Sequence, residues 1–118
     1  MDIIVTQEGS GRYRVACNEA MEWDARLNLA GAVEAQTGDD LRDVILDLEK
    51  VTHLTSAGIG AILLLRQKVR DHGGTLVLAR PSPRLSRLLE TVNLPKLVPV
   101  AATLDAARAA LDEGAAPA

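Results

Sequence analysis

Two short apolar runs, Val44-Ile45-Leu46-Asp47-Leu48 and Thr75-Leu76-Val77-Leu78-Ala79, restrict what this chain can fold into. A nearly continuous apolar run of that length suits a strand covered on both faces, as in the middle of a parallel sheet. The residues between, from Ala57 to His72, have helical spacing: Ile59, Ile62, Leu63, Leu64, Leu65 and Val69 make a broad apolar surface. Arg66, Lys68, Arg70 and Asp71 supply a polar side late in that helix, and Gly73-Gly74 stops it. Strand, helix and strand of these lengths predict a βαβ unit with parallel strands and a right-handed crossover.

The pattern extends both ways. Ile3 to Thr6 and the alternating Arg12 to Cys17 flank Glu8-Gly9-Ser10-Gly11, a turn signal, and predict an opening hairpin. Asn18 to Trp23 reads as a loop. From Asp24 to Gln36, Ala25, Leu29, Ala32 and Val33 form one apolar helical stripe, ended near Gly38. Ser82 is an N-cap with Pro83 at the first helical position, and Leu85, Leu88, Leu89 and Val92 follow at helical spacing. Asn93 suits a left-handed closure, and Pro95 prevents continuation. Leu97 to Val100 reads as a short edge strand because of Pro99. Thr103 caps a last helix carrying Leu104, Ala107 and Leu111. The order β-β-α-β-α-β-α-β-α defines an α/β fold: one domain, a mostly parallel mixed sheet opening with a hairpin, and about four helices. At 118 residues there is material for one core, placed in residues 1–113, with 114–118 as a flexible tail.

Composition narrows the partners. Tyr13 and Trp23 are the only aromatic residues, so the core must be Leu, Ile, Val and Ala. A net charge of −3 argues against direct nucleic-acid or anionic-membrane binding. The basic groups Arg66, Lys68, Arg70 and Arg80, Arg84, Arg87 read as solvated helix faces. A lone cysteine, Cys17, in an apolar strand pattern reads as a core residue in a reducing compartment. No run is long enough for a membrane span, and Met1-Asp2 lacks the basic start of a signal peptide, so a cytoplasmic protein is expected.

The sequence holds no set of catalytic or metal-binding residues. His53, His72 and Cys17 lack zinc-site spacing. Ser56 with His53 and Asp47 would be the one candidate triad, but Leu54 stands where a nucleophile elbow needs its first glycine. Gly58-Ile59-Gly60 cannot complete a dinucleotide fingerprint, because Leu63 holds the third position. Asp47 near a strand end resembles a receiver aspartate, but no acidic pair follows the first strand to share Mg²⁺ with it. It fits equally well as a structural residue bonding to loop N–H groups. Neither enzyme activity nor a cofactor or metal is expected.

What remains is the turn Leu54-Thr55-Ser56-Ala57-Gly58. Ser56 falls where a loop becomes a helix N-terminus. A phosphate there would meet free N–H groups and the positive end of the helix dipole. Without a phosphate, Ser56 would serve as an N-cap worth about 1 kcal/mol.

Val44 to Val51 followed by Leu54-Thr55-Ser56-Ala57-Gly58-Ile59-Gly60 resembles the STAS domain, best known from bacterial anti-sigma factor antagonists. The family pattern is an apolar strand ending in Asp-Leu, a Val, then Asp-Ser-Ser/Thr-Gly-Leu-Gly opening a helix. The likeness continues through Gly73-Gly74-Thr75-Leu76-Val77-Leu78, Pro81-Ser82-Pro83-Arg84, Asn93-Leu94 and Leu104-Asp105-Ala106-Ala107. The resemblance implies a partner switch. Ser56 would be phosphorylated by a serine kinase that is also the anti-sigma factor, with Thr55 the second choice. A PP2C-type phosphatase would reset it. It also implies a partner-binding surface of Thr55, Ser56, Ala57, Gly58 and Ile59, with Glu22 as an acidic loop residue nearby. Thr55 replaces the family's aspartate and Ala57 its second hydroxyl. That departure keeps an alternative from the same family: a constitutive accessory subunit, for instance on a transporter ATPase.

Overall fold

The structure is a computed structural model describing residues 2–18, 20–21 and 23–114, without the side chains of residues 23, 24, 26 and 27. Strands β1 (Ile3–Gly9) and β2 (Arg12–Cys17) form the opening hairpin, antiparallel in the register Ile3↔Cys17, Val5↔Val15 and Gln7↔Tyr13. The chain then alternates: α1 (Trp23–Thr37), β3 (Asp43–Asp47), α2 (Ser56–Asp71), β4 (Leu76–Ala79), α3 (Pro83–Thr91), β5 (Val100–Ala101) and α4 (Leu104–Asp112). The sheet order is β1-β2-β3-β4-β5, and every pair after the hairpin is parallel. This is the α/β architecture, with four helices and a mixed five-stranded sheet, that the sequence pattern implies.

Strands are added in one direction across the sheet, so crossovers of one hand put their helices on one face. There α1 buries Ala25, Leu29 and Val33, α2 buries Ala61, Ile62, Leu65 and Val69, and α3 buries Leu85 and Leu89. They pack on Val15, Cys17, Val44, Leu46 and Leu78, the alternate strand residues that point their way. The opposite face is covered by α4 alone, whose Ala107 and Leu111 pack on Ile45, Val77 and Ala79. Ser82 and Thr103 cap their helices as the sequence suggests, accepting from Leu85 N (3.1 Å) and Ala106 N (3.0 Å).

Three local expectations need correction. Helix α2 starts one residue earlier than expected, at Ser56. The short edge strand expected over Leu97 to Val100 is present but starts later, at Val100: Asn93 turns left-handed at φ 59° and a 3-10 turn, Leu94–Lys96, follows with Pro95 inside its first turn. Val98 N bonds back to Leu94 O at 2.9 Å, so pairing begins only at Val100. Arg80 is not on a solvated helix face. It precedes α3 at φ 57° and forks its guanidinium onto Asp47 (Nε–Oδ1 3.1 Å), with Glu49 a further 2.8 Å ion pair. Asp47 also accepts from Glu49 N at 3.1 Å, which makes it the structural residue of the two readings the sequence allowed. Gly114 closes α4 at φ 66°, and residues 115–118 lie outside the described residues.

Helix α4 is tied to the hairpin by charge. Arg108 forks onto Glu8 at 2.8 and 3.0 Å, and Arg12 meets Asp112 at 2.8 Å. The hydrogen bond from Arg108, reinforced by the charges of Arg108, Arg14 and Arg12, holds the Glu8 carboxyl below its ordinary value of 4.5 although burial opposes this. A carboxylate depressed in the folded state contributes stability above its unfolded value, and that contribution is lost as pH falls through the lower folded value. Glu8→Gln should therefore lower the urea midpoint at pH 7, and the gap to the parent should close below about pH 4.

Candidate functional site

The turn after β3 is built on backbone contacts from a distant loop. Met21 N donates to His53 O at 2.8 Å and Thr55 N donates to Met21 O at 3.1 Å, which makes a one-residue parallel bridge between Met21 and Leu54. Both bridge residues are buried, while Thr52 and His53 between Val51 and Leu54 are exposed. Thr55 is extended (φ −98°, ψ 175°) and caps α2: its Oγ1 accepts from Gly58 N at 3.3 Å and donates to Met21 O at 3.4 Å. Capping therefore belongs to Thr55, and the expectation that Ser56 would serve as the N-cap is corrected. The reason is geometric: a cap needs an extended backbone outside the helix, and Ser56 is already the first helical residue.

Ser56 is exposed, and its hydroxyl bonds to none of the described residues. Of the first four helical N–H groups, Gly58's goes to Thr55 Oγ1 and Ile59's to Thr55 O at 2.9 Å. Those of Ser56 and Ala57 have no acceptor among the described residues. The site thus presents a free hydroxyl beside two free donors at the positive end of a helix running to Asp71.

Gly58 makes this arrangement possible. It is buried, and a Cβ there would overlap the Met21 carbonyl and come within 2.6 Å of Leu54 Cδ1. The constraint is space, since the Met21 backbone passes where any side chain would be. Ala57 and Ile59 flank it half-buried. Beyond them the apolar residues of α2 divide: Ile62 and Leu65 are core, Ile59 and Leu63 lie at its margin, and Leu64 is 41% exposed. Arg66 Nε reaches Leu97 O at 3.0 Å, joining α2 to the turn where Leu97 and Val92 are also exposed.

The structure brings Thr55, Ser56, Ala57, Gly58 and Ile59 into one helix entrance. Glu22 lies outside the described residues. The triad is not assembled, because Asp47 is engaged by Arg80 and no hydrogen bond joins His53 to Ser56. Among the described residues no group of His, Cys, Asp and Glu could hold a metal ion, and no helix is long and apolar enough to cross a membrane. Sequence reasoning missed Met21, whose role lies entirely in its backbone. The only signal for it was a glycine at Gly58 inside a helix.

Residues 11–107 match the family model of the STAS domain. The chain belongs to that family. Among its relatives, the Bordetella bronchiseptica protein BtrV, named as an anti-sigma factor antagonist, is 31% identical over 97 residues, spanning 81% of this chain and 84% of its own. The anti-sigma-B factor antagonist of Bacillus subtilis is 27% identical over 92 residues, spanning 69% of this chain and 84% of its own. The Bacillus anti-sigma factor antagonist SpoIIAA shares the fold. Its unphosphorylated form superposes with a TM-score of 0.76 at 14% identity, covering 96% of this chain and 97% of the other. Its phosphorylated form gives 0.69 at 15%, covering 92% and 97%.

Thr55→Ala, which removes the cap, should lower unfolding stability by about 1 kcal/mol, while Thr55→Asp should keep most of it. Gly58→Ala should cost more, about 2–3 kcal/mol, because the added methyl meets backbone that cannot swing aside. Urea unfolding of the three variants checks the order.

Proposed function

We propose that the protein is an anti-sigma factor antagonist working by partner switching. In this reading Ser56 is the phosphate acceptor, and the helix entrance around it binds a partner that is both anti-sigma factor and serine kinase. The observation that carries the proposal is the exposed, uncommitted hydroxyl of Ser56 beside the free N–H groups of Ser56 and Ala57. The relationship to BtrV, at 31% identity over 81% of the chain, supports the antagonist role. Thr55 is the weaker acceptor because its hydroxyl is half-buried and occupied by Met21 O and Gly58 N.

A phosphate on Ser56 adds roughly −1.5 to −2 charge at pH 7. In the free domain the helix dipole and the two open donors accommodate it. In a close-packed complex the same charge would be stripped of water beside apolar residues such as Ile59 and Leu63, which opposes binding. Unphosphorylated protein therefore holds the partner and frees the sigma factor. Phosphorylated protein lets go, and a PP2C-type phosphatase restores it. The domain itself performs no catalysis and works in the cytoplasm. Thr55 in place of the family's aspartate keeps the cap but withdraws a carboxylate from beside the acceptor, and this favours a second reading in which the turn binds its partner without a phosphate cycle.

Incubation with the cognate kinase and ATP, followed by intact mass, should show one added phosphate on the parent and none on Ser56→Ala. Ser56→Asp should weaken partner binding at least about ten-fold, about 1.4 kcal/mol. No phosphate on the parent, with binding unchanged in both variants, would end the switch and leave the constitutive subunit.

A further inference from the structure

We propose that the protein carries a second binding site, unrelated to Ser56, on the α4 side of the sheet: a notch that takes a small organic monoanion, a carboxylate head on a short apolar body. The strand register places Ile4, Ala16, Asp47 and Ala79 in one row across β1 to β4, and Thr6, Arg14, Ile45 and Val77 in the next. Ile45, Val77 and Ala79 are the residues α4 covers, so both rows face that layer. Helix α4 does not extend over the hairpin's share of them. It is tied to the hairpin by Arg108–Glu8 and Arg12–Asp112, near the other end of β1 and the start of β2. What stays open is a notch of about 170 Å³ whose lining includes Ile4, Thr6, Arg14, Ala16, Lys50 and Arg80. That volume holds about half a dozen water-sized groups.

The chemistry of the lining selects the occupant. Its floor is apolar: Ala16 is small, and Ile4, at 56% exposure, is the most exposed of the large apolar residues among those described. Its charged groups are Arg14, Lys50 and Arg80 against Asp47 and Glu49, one net positive charge. Arg80 consumes both carboxylates, bonding Asp47 and Glu49 from a left-handed backbone that folds its side chain back over the sheet. Lys50 has no partner among the described residues. Arg14 approaches only Glu8, at 3.8 Å, and Glu8 is already forked by Arg108. The lining therefore keeps one net positive charge above a bare apolar floor, with Lys50 unpaired among the described residues and Arg14 only loosely held. A monoanion with a short apolar body satisfies both features, and a forked guanidinium suits a carboxylate.

Pentanoate is the probe, titrated into the isotope-labelled protein and read by amide chemical shifts. Saturable shifts confined to Ile4, Thr6, Arg14, Ala16, Lys50 and Arg80 are expected, with a Kd on the order of 1 mM. Arg14→Gln and Lys50→Gln should each weaken binding about five-fold with the rest of the spectrum unmoved. Pentanol and inorganic phosphate, which carry the body and the charge separately, should bind far more weakly. The proposal is overturned by absence of saturable shifts up to 50 mM pentanoate, by affinity unchanged in both charge variants, or by pentanol or phosphate matching pentanoate.

Discussion

The Met21 carbonyl is the contact on which the helix entrance depends. It accepts the Thr55 N–H and hydroxyl while lying against Gly58. One backbone oxygen thus connects the loop before α1, the end of the β3–α2 turn and the first turn of α2. Thr55 is held extended by this bridge, and an extended Thr55 is what lets its hydroxyl cap the helix. The position of Ser56 follows. With Thr55 fixed as the cap, the next residue must be the first of the helix, outward-facing and with nothing to bond. The hydroxyl is exposed because its neighbour does the structural work.

That division of labour clarifies the departure from the family pattern. An aspartate and a threonine both cap a helix well, so Thr55 preserves the local geometry. What differs is charge. With threonine the cap itself carries no carboxylate, and the helix dipole and two open N–H groups act on Ser56. At the cap, architecture and electrostatics are therefore separable, and only the second distinguishes Thr55 from the pattern's aspartate.

The two faces of the sheet are used unequally. Three helices cover one face and seal it with Leu, Ile and Val. On the other, α4 covers β3 to β5, and ion pairs carry it to the hairpin. Arg80 completes that side. Its left-handed backbone is uncommon for a residue with a side chain, and the Asp47 and Glu49 carboxylates hold it there.

Much of this was readable from the chain alone. The order of elements along the chain, the helix count and the caps at Ser82 and Thr103 follow from apolar spacing and local hydrogen-bonding chemistry, which act over a few residues and leave a sequence signal. Asn93 announced its left-handed turn for the same reason. The edge strand expected over Leu97 to Val100 begins only at Val100, because a short apolar stretch carries no periodicity to separate strand from turn. The helix entrance was legible as a place, through Thr55, Ser56 and Gly58, but not in its assignment of roles. Which hydroxyl caps and which stays free is decided by Met21, 34 residues before Thr55. Arg80 folding onto Asp47 is likewise a contact across 33 residues. The sequence by itself determined the elements, their order and the helix entrance at Thr55 and Ser56. Only the tertiary structure decided which backbone groups meet there, because a carbonyl has the same identity in every residue and its partner is chosen by how distant segments pack.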